Sequence, residues 1–226
     1  MHSLNVVIIP NIVQNVKPGM EDSVGVSERR AREKARMHAD ILDAALAIAN
    51  EAGWEGVTIR ALAERIEFSP AAIYEHFAAK SDIMTAVALR GLGSLAELLG
   101  SNLTPGRQGL ECLADTIWTW AFQNRMLFQL LHTGGIFEFG SRATPAQARC
   151  LFALVRNAIA TATPRSRKNE LDDLTDLFWA SLSGLILLTM FERIAGGEAR
   201  AKLLSARLVA DLLDSWNLPS ARRKDN

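Results

Sequence analysis

Apolar residues recur at three- and four-residue spacing along most of the 226-residue chain, and no stretch alternates with the two-residue period of a strand. The first stripe is Ile41, Ala45, Ile48 and Ala52, which predicts a helix from near Ser27 to about Ala52. Gly53 stands where a helix ends in a left-handed residue. Thr58 is then an N-cap for a short helix over Ile59 to Ile66, and Glu67 with Phe68 makes a tight break. Ser69 is a second N-cap with Pro70 at the first helical position, and this helix runs to about Phe77. A fourth helix, with Ser81 as its cap, reaches about Leu99.

Thr104 to Gly106 marks a boundary. Beyond it, periodicity predicts helices near Arg107 to Asn124, Arg125 to His132, Pro145 to Thr161, Glu170 to Ile194 and Glu198 to Trp216. Thr144-Pro145 repeats the cap-and-proline start, and Thr133 to Ala143 is the longest loop. Leu177 to Phe191 is apolar nearly all round, and Leu203, Leu204, Leu208, Leu212 and Leu213 give the last helix an apolar stripe. A four-helix bundle formed by this pair and its copy in a second subunit would cover both, while burial within one chain is the alternative.

The segment Thr58 to Phe77 has the form of a helix-turn-helix. Two short helices crossing steeply need a small residue at the contact, which Ala63 supplies, and apolar anchors, placed here at Leu62, Ile66, Phe68, Ile73 and Phe77. With that side turned inward, Ser69, Ala71, Ala72, Tyr74, Glu75 and His76 face outward. Tyr74 and His76 can donate to phosphates or base edges, while Ala71 and Ala72 permit close approach to thymine methyls. The helix starts at Thr58 and Ser69 suit phosphate, and Lys80 adds a cation just past the second helix.

Charge changes this picture only in its distribution. Lys and Arg number 25 and Asp and Glu also 25, so the sum gives no hint of nucleic acid. Arg29, Arg30, Arg32, Lys34 and Arg36 nevertheless form one basic run, and Arg222, Arg223 and Lys224 another near the end. From Glu28 to Lys80 acidic residues slightly outnumber basic ones, so DNA affinity is expected to lean on the Arg29–Arg36 arm. Cys112 and Cys150 lie far apart without zinc spacing, which fits a reduced, cytoplasmic protein with no metal and no cofactor. Val6 to Val16 is apolar but broken by Pro10, Asn11 and Asn15, too short for a membrane span and poor as a signal peptide. Residues 1–27 are therefore expected to be a disordered extension, and no membrane partner is expected.

The order and spacing of these features resemble the DNA-binding domain of the TetR family of bacterial regulators. The matching residues are Ile41-Leu-Asp-Ala-Ala, Gly53, Thr58-Ile-Arg, Leu62-Ala63, Ser69-Pro-Ala-Ala-Ile-Tyr74-Glu-His76-Phe77 and Lys80-Ser-Asp-Ile83. The resemblance implies phosphate contacts by Thr58, Tyr74 and Lys80. It places Arg60, Ala71, Ala72 and His76 against bases or the flanking backbone. The family usually has glycine where Glu67 stands, so an altered turn is expected there. Phe178-Trp179-Ala-Ser-Leu-Ser183-Gly184 resembles a Trp-x-x-x-His-Gly signature of one branch, with Ser183 in place of the histidine.

The implied architecture is all-α. Residues 28–80 form a three-helix DNA-binding domain, 81–217 a larger helical domain for ligand binding and dimerisation, and 218–226 a polar tail. The implied function is a homodimeric repressor on a palindromic double-stranded operator, released by a small-molecule effector when the fourth helix moves. Trp118, Trp120, Phe122, Phe128, His132, Phe137, Phe152, Phe178 and Trp179 are candidates for the lining of an apolar or aromatic ligand pocket. Each taken singly fits plain core better than ligand contact, and His132 suits a cap or a satisfied polar group better than a catalytic base. No nucleophile triad, HExxH, phosphate loop or paired carboxylates are present, so no enzyme is expected. Two rivals share the pattern: a DNA-binding protein without an effector, and a helical ligand-binding or catalytic protein whose first domain has left DNA.

Overall fold

A computed structural model describes residues 20–133, 135–137 and 143–217. Helix follows helix: α1 (Met20–Gly56), α2 (Ile59–Arg65), α3 (Pro70–Tyr74), α4 (Lys80–Ser101), α5 (Gly106–Gln123), α6 (Arg125–Thr133), α7 (Ala146–Ala162), α8 (Leu171–Met190) and α9 (Gly197–Asn217), with a 3-10 turn at Arg165–Glu170 before α8. No strand occurs among the described residues. Two compact units divide the chain, Met1–Asp40 and Ile41–Asn226. In the first, Arg29 pairs with Glu33 and Arg36 with Asp40 along the exposed side of the helix, while Arg30, Arg32 and Lys34 are exposed and without an ion partner among the described residues.

Element boundaries differ from the sequence expectation where backbone chemistry overrides periodicity. The first helix begins at Met20 rather than near Ser27, so residues 20–26 are helical; the rest of the expected extension lies outside the described residues, as does the tail 218–226. Gly53 breaks that helix as expected, with φ of 72°. The fourth helix is not capped by Ser81. Ala79 is the cap residue, and its N–H donates to the Asp82 carboxylate at 3.0 Å, so the side chain three residues on does the capping. The third helix ends at Tyr74, and single turns carry the chain through Phe77. Most of the expected loop Thr133 to Ala143 lies outside the described residues.

The second unit holds both the short helices α2 and α3 and a bundle built on α7, which packs against α4, α5 and α8, with α9 closing against α5 and α8. Ile83, Val87, Leu92, Leu95 and Leu99 bury one face of α4, and Leu110, Leu113, Ile117 and Trp118 one face of α5. At roughly 25 cal/mol per Å² of apolar area, burying each such side chain contributes about 1.5–3 kcal/mol, so these rows dominate stability. Where α4 passes α6, a Cβ at Gly91 would come within 2.5 Å of Leu127, so the close crossing depends on glycine. Lys80–Ser101 and Arg165–Met190 are long and apolar enough to cross a membrane, yet both carry buried rows of the bundle.

Candidate nucleic-acid interface and the helical core behind it

Local sequence positions the two short helices. The Thr58 hydroxyl accepts from Ala61 N–H at 3.1 Å and the Ser69 hydroxyl from Ala72 N–H at 3.3 Å, so both expected N-caps form. Between them Glu67 takes φ of 59°, and the Phe68 N–H returns to the Ala63 carbonyl at 2.9 Å. This is the turn that glycine would enter freely and glutamate enters at a cost of about 1–2 kcal/mol. Leu62, Ala63, Ile73 and Phe77 are buried where the helices meet. Phe68 departs from the expected role of anchor: the left-handed residue before it swings its ring outward, and it is 50% exposed.

The outward face is largely as the pattern implied. Thr58, Arg60, Ser69, Ala71 and Tyr74 are exposed, and Ala72, His76 and Lys80 half-buried. His76 turns its Nδ1 inward, buried without a hydrogen-bond partner, which leaves Nε2 as the atom able to meet DNA. The cations are engaged. Arg60 donates to Glu64 at 2.8 Å, and Arg65 forks onto Glu51, whose carboxyl it holds below the ordinary range through the hydrogen bond and charge. Exposed pairs of this kind are worth about 0–1 kcal/mol, so a phosphate can displace Glu64 from Arg60 at small cost. Lys80 donates to the Trp54 carbonyl at 2.7 Å and retains two further N–H groups.

Trp54, between Gly53 and the Thr58 cap, ties this surface to the bundle. Its indole N–H donates to the Met126 carbonyl of α6 at 2.9 Å. A lone large aromatic just after a helix-stopping glycine was the available signal for such a joint. The far end of α6 carries His132. Its Nδ1 lies 2.9 Å from the Phe128 carbonyl and its Nε2 3.1 Å from the Ser183 hydroxyl. A carbonyl only accepts, so Nδ1 holds the proton and the Ser183 hydroxyl donates to Nε2. Burial lowers the His132 pKa from 6.5, opposed in part by the Phe128 carbonyl, and the ring is neutral. This satisfies the histidine as a polar core group. Ser183, at the place of the signature histidine, is its partner, a pairing that spacing alone did not reveal.

The aromatic candidates separate by position. Phe128 and Phe178 are fully enclosed, Trp118 and Trp120 nearly so. His132 stacks on Phe128 with centroids 4.2 Å apart and faces Trp179 at 5.9 Å, while Trp118 stacks on Phe122 at 4.8 Å. Phe122, Phe137 and Trp179 are half-buried, and Phe152 lies 39% exposed on α7. The structure thus joins His132, Phe128, Trp179 and Ser183 in one group at α6 and α8, and Trp118 with Phe122 in another on α5. Among the described residues no cluster of His, Cys, Asp and Glu has metal-binding geometry.

A capped helix-turn-helix with an exposed outer face, carried by a helical bundle, defines a DNA-binding regulatory protein. Comparison with known proteins agrees. Residues 41–87 match the family described as bacterial regulatory proteins, tetR family. The HTH-type transcriptional repressor KstR of Mycobacterium tuberculosis is 32% identical over 212 residues, which cover 91% of this chain and 93% of that protein. KstR of Rhodococcus jostii is 33% identical over 91 residues, 40% of each chain. A TetR-family transcriptional regulator from Streptomyces coelicolor, 21% identical, shares the fold with a TM-score of 0.60 over 79% of this chain and 98% of its own. The chain belongs to the TetR family of bacterial transcriptional regulators.

Proposed function

We propose that the protein is a homodimeric cytoplasmic repressor that holds a palindromic operator through residues 28–80 and releases it when a small apolar or aromatic molecule binds within 81–217. The exposed outer face of the Thr58–Phe77 helix-turn-helix carries the reading. Thr58, Tyr74 and Lys80 clamp phosphates, with Ser69 at the start of α3 beside them. Arg60 and His76 supply hydrogen bonds for specificity, and Ala71 and Ala72 lie against thymine methyls. The curated relatives named KstR are repressors, which favours that sign of regulation.

Dimerisation is supported by α8 and α9. Leu177 and Leu188 on α8 and Phe191 at its C-cap are exposed, and Ser181 and Gly184, at the same spacing between them, are only half-covered. Together they form one outward stripe at steps of three and four. On α9, Ala201, Ser205, Val209, Leu213 and Trp216 turn inward, leaving Leu203 73% exposed and Leu204, Leu208 and Leu212 half-exposed. A second copy covers both stripes in a four-helix bundle and sets two recognition helices about 34 Å apart.

The effector enters among Trp118, Phe122, Phe128, His132, Phe137, Phe152, Phe178 and Trp179. Repacking there displaces α6, which touches α4 at Gly91 and the DNA-binding helices through Trp54. The effector must bind the displaced state better than the DNA-bound one. A thermal-shift screen with apolar and aromatic compounds tests this. A compound that raises Tm by several degrees should also lower operator affinity at least tenfold. Stabilisers that leave DNA affinity unchanged overturn the release mechanism.

A further inference from the structure

The end of α7, the 3-10 turn and the start of α8 enclose a cleft of 310 Å³, lined by Arg156, Ala160, Thr163, Pro164, Arg165, Lys168 and Leu171. Topology puts it at the end of the bundle remote from α2 and α3. α4 starts beside them at Lys80 and rises about 33 Å over its 22 residues. At its far end the Gly106 N–H donates to the Thr161 hydroxyl, so the end of α7 is there too.

The chemistry of the lining is one-sided: three cations, one hydroxyl, three apolar walls and no carboxylate. Among the described residues, Arg165 and Lys168 have no ion partner. Arg156 uses Nε on Asp172, which leaves its terminal N–H groups for another acceptor. An arginine held through its Nε, a second guanidinium and an ammonium lining one concavity match a doubly charged oxyanion. The volume, near the lower end of small-molecule pockets, is too large for a bare tetrahedral ion and leaves room for an organic portion against Ala160, Pro164 and Leu171.

We propose that this cleft binds a small organic phosphate monoester, its phosphate held by Arg156, Arg165 and Lys168 and its less polar part on the Ala160–Pro164–Leu171 wall. Occupancy bridges the end of α7 to the start of α8 and stabilises the fold. The site is independent of the aromatic effector site and of DNA binding.

Titration calorimetry and thermal shift on the full-length protein test it, with AMP, glucose 6-phosphate, adenosine and sodium chloride at matched ionic strength. Saturable binding of AMP or glucose 6-phosphate is expected, with Tm rising by about 5 °C at a hundredfold excess over Kd. The two esters distinguish a nucleotide from a sugar phosphate. Arg165→Gln with Lys168→Gln should weaken binding at least tenfold; both side chains are exposed, and Lys168→Gln alone serves if the double variant folds poorly. Adenosine binding as tightly as AMP, both esters behaving as chloride does, or unchanged binding by the variants would overturn the assignment.

Discussion

Glu67 and His132 show what single residues decide. Glu67 holds φ of 59°, a conformation that glycine adopts freely, and it is exposed on the turn between α2 and α3. Glu67→Gly should raise stability by about 0.5–1 kcal/mol, since relief of strain exceeds the extra unfolded-state entropy. It should also tighten operator binding by removing a negative charge; weaker binding would show that Glu67 takes part in recognition. His132 behaves oppositely with pH to a paired histidine. Its folded pKa lies below 6.5, so the unfolded chain takes up the proton first as pH falls. Its contribution is complete well above the unfolded pKa of 6.5 and shrinks as pH falls through that value toward the folded pKa. His132→Gln should flatten the fall of Tm between pH 7.5 and 5.5, and an unchanged slope contradicts the assignment.

Helices are where sequence and structure agree most and differ most instructively. The caps Thr58 and Ser69, the stop at Gly53 and the crossing residue Ala63 were legible because each follows from local chemistry within four residues. Phe68 was not, because the direction of its ring follows from the left-handed Glu67 rather than from spacing. The cap of α4 was missed because Asp82 reaches back to Ala79 over a better-looking serine. The Leu stripe of α9 was read correctly as apolar, yet only packing shows that its inward face is Ala201, Ser205, Val209, Leu213 and Trp216. The Trp54–Met126 and His132–Ser183 bonds were invisible, since they join residues far apart in sequence. At this scale Thr58→Ala and Ser69→Ala should each cost about 1 kcal/mol, lowering Tm by about 2–4 °C. A change below 1 °C for both would mean that α2 and α3 are held by packing alone.

Across the whole molecule, a lean electrostatic surface is joined to a large apolar bundle. Arg60 is paired with Glu64 within the helix-turn-helix and Arg65 with Glu51 of α1, and Arg30, Arg32 and Lys34 have no ion partner among the described residues of the first unit. In the proposed dimer, specific binding depends on two half-sites read together, and non-specific affinity should be low for a DNA-binding protein. The most direct measurement is an electrophoretic mobility shift on the upstream region of the protein's own gene, at 100 mM salt with excess unrelated competitor DNA. A discrete complex of two chains per duplex, resistant to competitor, is the predicted result. No shift with that region or any other genomic fragment, even at low salt, would contradict the account.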